Sequence, residues 1–172
     1  MNQKSTTVAP QRYRESFGRY YEDFVVGDVY EHRPGRTITQ ADNTWFTLLT
    51  MNTHPLHFDE QYGKASEFGR CVVASPLTVA IIVGMSVSDV SQKAIANLGW
   101  REIRMSAPVF AGDTLYAESS VLQKRDSASR PTAGLVTVST IGKNQDGKIV
   151  CSFERTILVA RRGYAVEDKI GY

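Results

Sequence analysis

Residues 71–91, CVVASPLTVAIIVGMSVSDVS, decide the architecture. Within 76–90, apolar side chains fall on nearly every side (Leu77, Val79, Ala80, Ile81, Ile82, Val83, Met85, Val87 and Val90). A helix that is apolar all round is a buried one. Ser75 offers a capping hydroxyl, and Pro76 occupies a first helical position at which a missing N–H costs nothing. A helix over 76–91 would be about 24 Å long and is interrupted by Ser86, Ser88 and Asp89, whereas a membrane crossing takes about 20 consecutive apolar residues. The stretch predicts one long core helix and no membrane span.

Beyond this helix the hydrophobic period changes to two. Ala96, Leu98 and Trp100 alternate on one parity and Ile103 and Met105 on the other, and the slip beside Gly99 predicts a bulged strand. Strands are also predicted over 114–122, 135–141 and 149–159, where Ile149, Cys151, Phe153, Ile157 and Val159 alternate. Asp146-Gly147 supplies a hairpin turn between the last two. Ahead of the helix, Pro34-Gly35 is a turn signal that leaves His32 exposed beside it. Thr39-Gln-Ala-Asp42 is a capping box opening a short helix with Trp45, Phe46, Leu48 and Leu49 as its apolar run. Pro55 breaks the pattern, and 60–67 holds a further helical turn or two. Early helices followed by consecutive antiparallel strands define an α+β pattern in which a sheet curls around one helix, the hot-dog fold.

The chain has 172 residues and is 42% hydrophobic, enough for one globular domain. We divide it into an N-terminal arm (1–18), a single domain (19–162) and a loosely held tail (163–172). Twenty basic residues stand against 18 acidic ones without a charge block, which argues against nucleic acid or a membrane surface as partner. Cys71 and Cys151 lack metal-ligand spacing and read as reduced core thiols. The opening residues contain no apolar run of a secretory signal, so a cytoplasmic location is expected.

Several motifs together resemble the MaoC-like dehydratases, which include the (R)-specific enoyl-CoA hydratases. They are Arg36-Thr-Ile-Thr-Gln-Ala-Asp42, Pro55-Leu56-His57-Phe58-Asp59, Phe68-Gly-Arg70 and Pro108-Val-Phe-Ala-Gly-Asp113. The resemblance implies a catalytic Asp, a His five residues later and a small residue opening the hot-dog helix. His57 matches the histidine and Ser75 the helix-start residue, while Asn52 stands where the aspartate is expected. The resemblance also implies a homodimer and an acyl-CoA thioester substrate, so that no separate cofactor is needed. Asn52-Thr-His-Pro-Leu-His57, Ala96-Asn-Leu-Gly-Trp100 and Ser129-Arg130-Pro131 resemble the branch acting on branched dicarboxylic acyl-CoA (mesaconyl-, methylmalyl- and itaconyl-CoA).

Hydration of an enoyl thioester needs a base for water, a proton donor for the α-carbon and polarisation of the thioester oxygen. Asn52 can orient a water but cannot take its proton. His57 can serve as base and acid in turn, because an imidazole is usable in both senses near neutrality. Asp59 or Asp42 could orient the ring or supply the missing base. Pro76 has no N–H, which leaves the Ser75 N–H as donor to the thioester oxygen. Arg130 suits the free carboxylate of a dicarboxylic substrate through its planar fork. No metal is expected, since the spacing of His54, His57 and Asp59 fits no common zinc pattern.

Plainer readings stand beside these. His57 and His54 could be loop packing residues, Ser75 only an N-cap, Asn52 a helix C-cap in the left-handed conformation, and the Arg130 run a solvated loop. The alternative functions are an acyl-CoA thioesterase and a non-catalytic acyl-CoA binding protein.

Overall fold

The computed structural model describes residue 11 and residues 16–171, so the expected arm over 1–18 lies almost wholly outside the described residues. Five strands form one antiparallel sheet: β1 (Val29–Thr37), β2 (Ala94–Met105), β3 (Thr114–Asp126), β4 (Ala133–Lys143) and β5 (Ile149–Ala160), in the order β1-β3-β4-β5-β2. Alternation places Leu115, Ala117, Ser119 and Val121 of β3, and Cys151, Phe153, Arg155, Ile157 and Val159 of β5, on one buried face. The helix read from 71–91 lies on that face. It packs closely: a Cβ at Gly142 of β4 would collide with Ile82 Cδ1.

This helix, α3 (Ser75–Met85), departs from expectation in three ways. It is shorter and runs on into a π-helical turn, Val87–Ser91. Its N-cap is Ala74, so Ser75 and Pro76 are its first two residues and the Ser75 hydroxyl is no cap. Only Leu77, Thr78 and Ile82 are fully buried; Val79, Ile81, Val83 and Met85 are half-buried and Ala80 is exposed. One chain covers a single face of a helix that is apolar all round.

Helix α1 (Gln40–Leu49) forms with the Thr39–Asp42 capping box, yet of its apolar run Phe46 packs against the core while the others face outward. Asn43 and Thr47, four residues apart and therefore on one face, are buried. Trp45, Leu48 and Leu49 are 66%, 68% and 78% exposed. A short helix α2 (Glu60–Ala65) follows.

The core is split into two apolar clusters. One gathers Val73, Leu77, Ile82, Leu115, Ala117 and Phe153 near the start of α3. The other gathers Phe24, Tyr30, Val90, Val121, Val136 and Ile157 beyond its end. Between them β5 and β3 change from apolar to polar and back, in Phe153, Arg155, Ile157 and in Ala117, Ser119, Val121. His32 belongs to this polar belt and is fully buried, contrary to expectation. Pro34-Gly35 makes no turn: it runs inside β1 as a register irregularity between His32 and Arg36, so His32 stays a strand residue facing inward. Its Nδ1 lies 2.9 Å from Asp89 Oδ2 and its Nε2 2.8 Å from Ser119 Oγ, which contacts Thr140 Oγ1. Arg155, 1% exposed, donates from Nη2 to Ser86 Oγ, while its Nε and Nη1 find no acceptor among the described residues. Burial draws its pKa down to about 10.

Strand β2 is bulged as expected, with three register irregularities, and forms an edge of the sheet. The β4–β5 turn has Gly147 at φ 76°. Both cysteines are buried and free, and burial raises the Cys151 thiol to about 11. The C-terminal segment is not loose: α4 (Val166–Ile170) is tied down by the Tyr20 hydroxyl donating to Asp168 Oδ1 at 2.6 Å, and Ala165 is buried. No helix among the described residues is long and apolar enough to cross a membrane.

Candidate active site

His57 closes a 3-10 turn, Pro55–His57, between α1 and α2. Its Nδ1 is 2.8 Å from the Val72 carbonyl oxygen. A carbonyl only accepts, so Nδ1 carries the proton and Nε2 keeps a free lone pair. The half-buried ring thereby presents Nε2 as its acceptor.

What holds it there is a residue that motif reasoning missed. Asn43 is fully buried; its Nδ2 donates to the His57 carbonyl at 2.7 Å and to the Val72 carbonyl at 3.1 Å, and its Oδ1 accepts the Ala74 N–H at 2.9 Å. Gln40 Nε2 adds a second donor to the His57 carbonyl at 2.9 Å. One amide thus joins α1, the histidine turn and the segment entering α3. The available signal was Asn43 itself, a residue that competes with helical hydrogen bonding and is unfavourable inside a helix without a structural reason.

Ser75 begins α3 three residues after Val72, the acceptor of the His57 ring. The residue is exposed, and its backbone N–H is among the first four of the helix, which have no acceptor inside it and lie at the positive end of the dipole. The fold therefore brings His57 and the Ser75 N–H to one locality. Pro76 follows as an exposed second helical residue.

Asn52 is half-buried beside the same turn, its N–H donating to Thr47 O at 2.9 Å and its Oδ1 accepting the His54 N–H at 3.1 Å. The left-handed residue ending α1 is Met51, at φ 56°, not Asn52. Asp59 caps α2, with Oδ1 accepting the N–H groups of Gln61 and Tyr62 at 2.9 and 3.1 Å. Asp42 is held by Thr39 and by Arg36 Nη2, and hydrogen bonds from Thr39 keep its carboxyl below the usual range. No hydrogen bond links either carboxylate to His57.

Arg130 lies elsewhere. It sits in the β3–β4 loop with its N–H on Ser127 Oγ, three residues from Ala133, which pairs with Ala160 at the end of β5. The segment entering α3 is tied through Val73 and Val109 to the other end, where the Ser106 N–H meets Val150. Most of a strand of about 35 Å separates the two. Among the described residues no group of three or more His, Cys, Asp or Glu could hold a metal.

A sheet wrapped on one helix is the hot-dog fold, and His57 lies beside the start of that helix. The structure matches a MaoC domain dehydratase from Chloroflexus aurantiacus with a TM-score of 0.80 and 32% identity, over 92% of this chain and 43% of that one. It matches the MaoC-like dehydratase of Rhodospirillum rubrum with a TM-score of 0.74 and 29% identity, over 84% and 99%. The chain belongs to the mesaconyl-CoA hydratase family, whose model, described as Mesaconyl-CoA hydratase, matches residues 5–171. Mesaconyl-CoA hydratase of Cereibacter sphaeroides is 34% identical over 86% of this chain and 43% of its own length. Beta-methylmalyl-CoA dehydratase of Chloroflexus aurantiacus is 34% identical over 84% and 41%. The chain spans less than half the length of these relatives.

Proposed function

We propose that the protein is a hydro-lyase that reversibly adds water to a 2-enoyl-CoA to give a 3-hydroxyacyl-CoA, with a branched dicarboxylic acyl-CoA as substrate. The observation that carries this is the His57 ring, fixed with a free Nε2 beside the start of α3. In the hydration direction His57 Nε2 takes a proton from water as the water oxygen bonds to C3. The C2–C3 π electrons move onto the thioester oxygen, which the Ser75 N–H stabilises, and His57 then returns the proton to C2. CoA enters as part of the substrate. The names of the relatives support the dicarboxylic class.

A homodimer fits this reading, because the outward apolar side of α1 and the half-covered α3 call for a second unit of the same kind. A contact from Arg130 to the substrate carboxylate would then come from the other subunit.

The test is turnover of crotonyl-, mesaconyl- and itaconyl-CoA, following enoyl absorbance and free thiol together, for wild type and His57→Ala. Hydration of mesaconyl-CoA without thiol release, lost in His57→Ala, is expected. Thiol release instead would identify a thioesterase, and tight binding without turnover a binding protein.

A further inference from the structure

Resting on the hydratase reading, we propose that His54 is a second catalytic residue, which holds the nucleophilic water for His57. The ring of His54 caps the 3-10 turn, its Nδ1 lying 3.2 Å from the Leu56 backbone N–H. A backbone N–H only donates, so Nδ1 is bare and the proton of the neutral ring sits on Nε2. His57 has the opposite tautomer, set by the Val72 carbonyl. Two imidazoles with centroids 5.6 Å apart thus offer one Nε2–H donor and one Nε2 acceptor. The tautomers are imposed by backbone groups and do not depend on the substrate.

A water between the rings would accept from His54 and donate to His57. Two nitrogens each about 2.8 Å from one tetrahedral oxygen lie about 4.6 Å apart, a separation open to rings at this spacing. Tyr62 packs edge-on against His54, with centroids 5.9 Å apart at 83°, and limits its swing. The water then keeps a lone pair for C3. Asn52, whose Oδ1 is engaged by the His54 N–H, serves to set the backbone of His54. Proton accounting is unchanged: the proton that leaves water reaches C2 through His57, and His54 keeps its own.

His54 must be neutral to play this part. A proton on its Nδ1 would face the Leu56 N–H and break the cap, while a proton on His57 Nε2 would remove the base. The ring contacts of His54 are with His57, from its own turn, and with Tyr62, from α2; the Asp59 carboxylate nearby is taken up by the α2 N–H groups. A proton added to either ring therefore disables the site.

The experiment is mesaconyl-CoA hydration by wild type, His54→Ala and His54→Gln. His54→Ala is expected to lower kcat about 10- to 100-fold with little change in KM, and His54→Gln, which retains an N–H donor, to recover most of it. Wild-type rates in His54→Ala, or equal impairment of the two variants, would each overturn the assignment. If His54→Ala does not fold, His54→Phe, which keeps a ring of similar size without an N–H donor, takes its place in the comparison with His54→Gln. A wild type that hydrates no enoyl-CoA would instead refute the hydratase reading, and this role with it.

Discussion

Asn43→Ala removes three hydrogen bonds at one stroke, and the structure says what each loss leaves behind. The His57 carbonyl keeps Gln40 Nε2, and the Val72 carbonyl keeps the His57 ring. The buried Ala74 N–H has no other acceptor. Two replaceable bonds at about 0.5–1.5 kcal/mol each and one unsatisfied buried donor at about 1–3 kcal/mol give a destabilisation of about 2–6 kcal/mol. Asn43→Asp separates this account from simple loss of volume. It preserves the acceptor for Ala74 but turns an oxygen toward two carbonyl oxygens, so at neutral pH it should cost more than Ala despite its closer shape. Urea unfolding measures both. Because the same amide fixes the histidine turn against the start of α3, kcat should also fall about 100-fold in whatever fraction remains folded. A change below about 1 kcal/mol in Asn43→Ala, or an Asp variant more stable than the Ala variant, would refute the reasoning.

Burial holds the pKa of His32 below its ordinary value against the opposing pull of Asp89. The unfolded chain then binds a proton below about pH 6.5 that the folded one refuses, so stability is full above that pH and declines as pH falls through it. His32→Gln should flatten the dependence of the urea midpoint between pH 7 and 5; an unaltered dependence would show that other groups set it. Arg155→Met should raise stability by about 1–4 kcal/mol, since a buried guanidinium with two unsatisfied nitrogens gives way to an apolar chain. A clear loss of stability in a thermal melt would mean that the charge has a compensating anion.

Much of the fold was legible locally. The capping box at Thr39–Asp42, the alternation of β3 to β5, the Asp146-Gly147 turn, the slip in β2 and the apolar run of α3 all report short-range chemistry, and each formed. The motif around His57 also placed the candidate base and the helix start that the structure brings together. Periodicity tells which side chains share a face but not what that face meets. That is why α1 could be recognised as a helix while its buried side was misread: Asn43 and Thr47 face inward and Trp45 and Leu48 do not. His32 and Arg155 show the same limit, since a polar belt between two apolar clusters exists only once four strands and the end of α3 have been assembled. The sequence by itself determined most of the elements and singled out His57 as the candidate base. Tertiary structure alone decided the protonated nitrogen of His57, the anchoring by Asn43 and the remoteness of Arg130, because each depends on a backbone group or strand end distant in sequence.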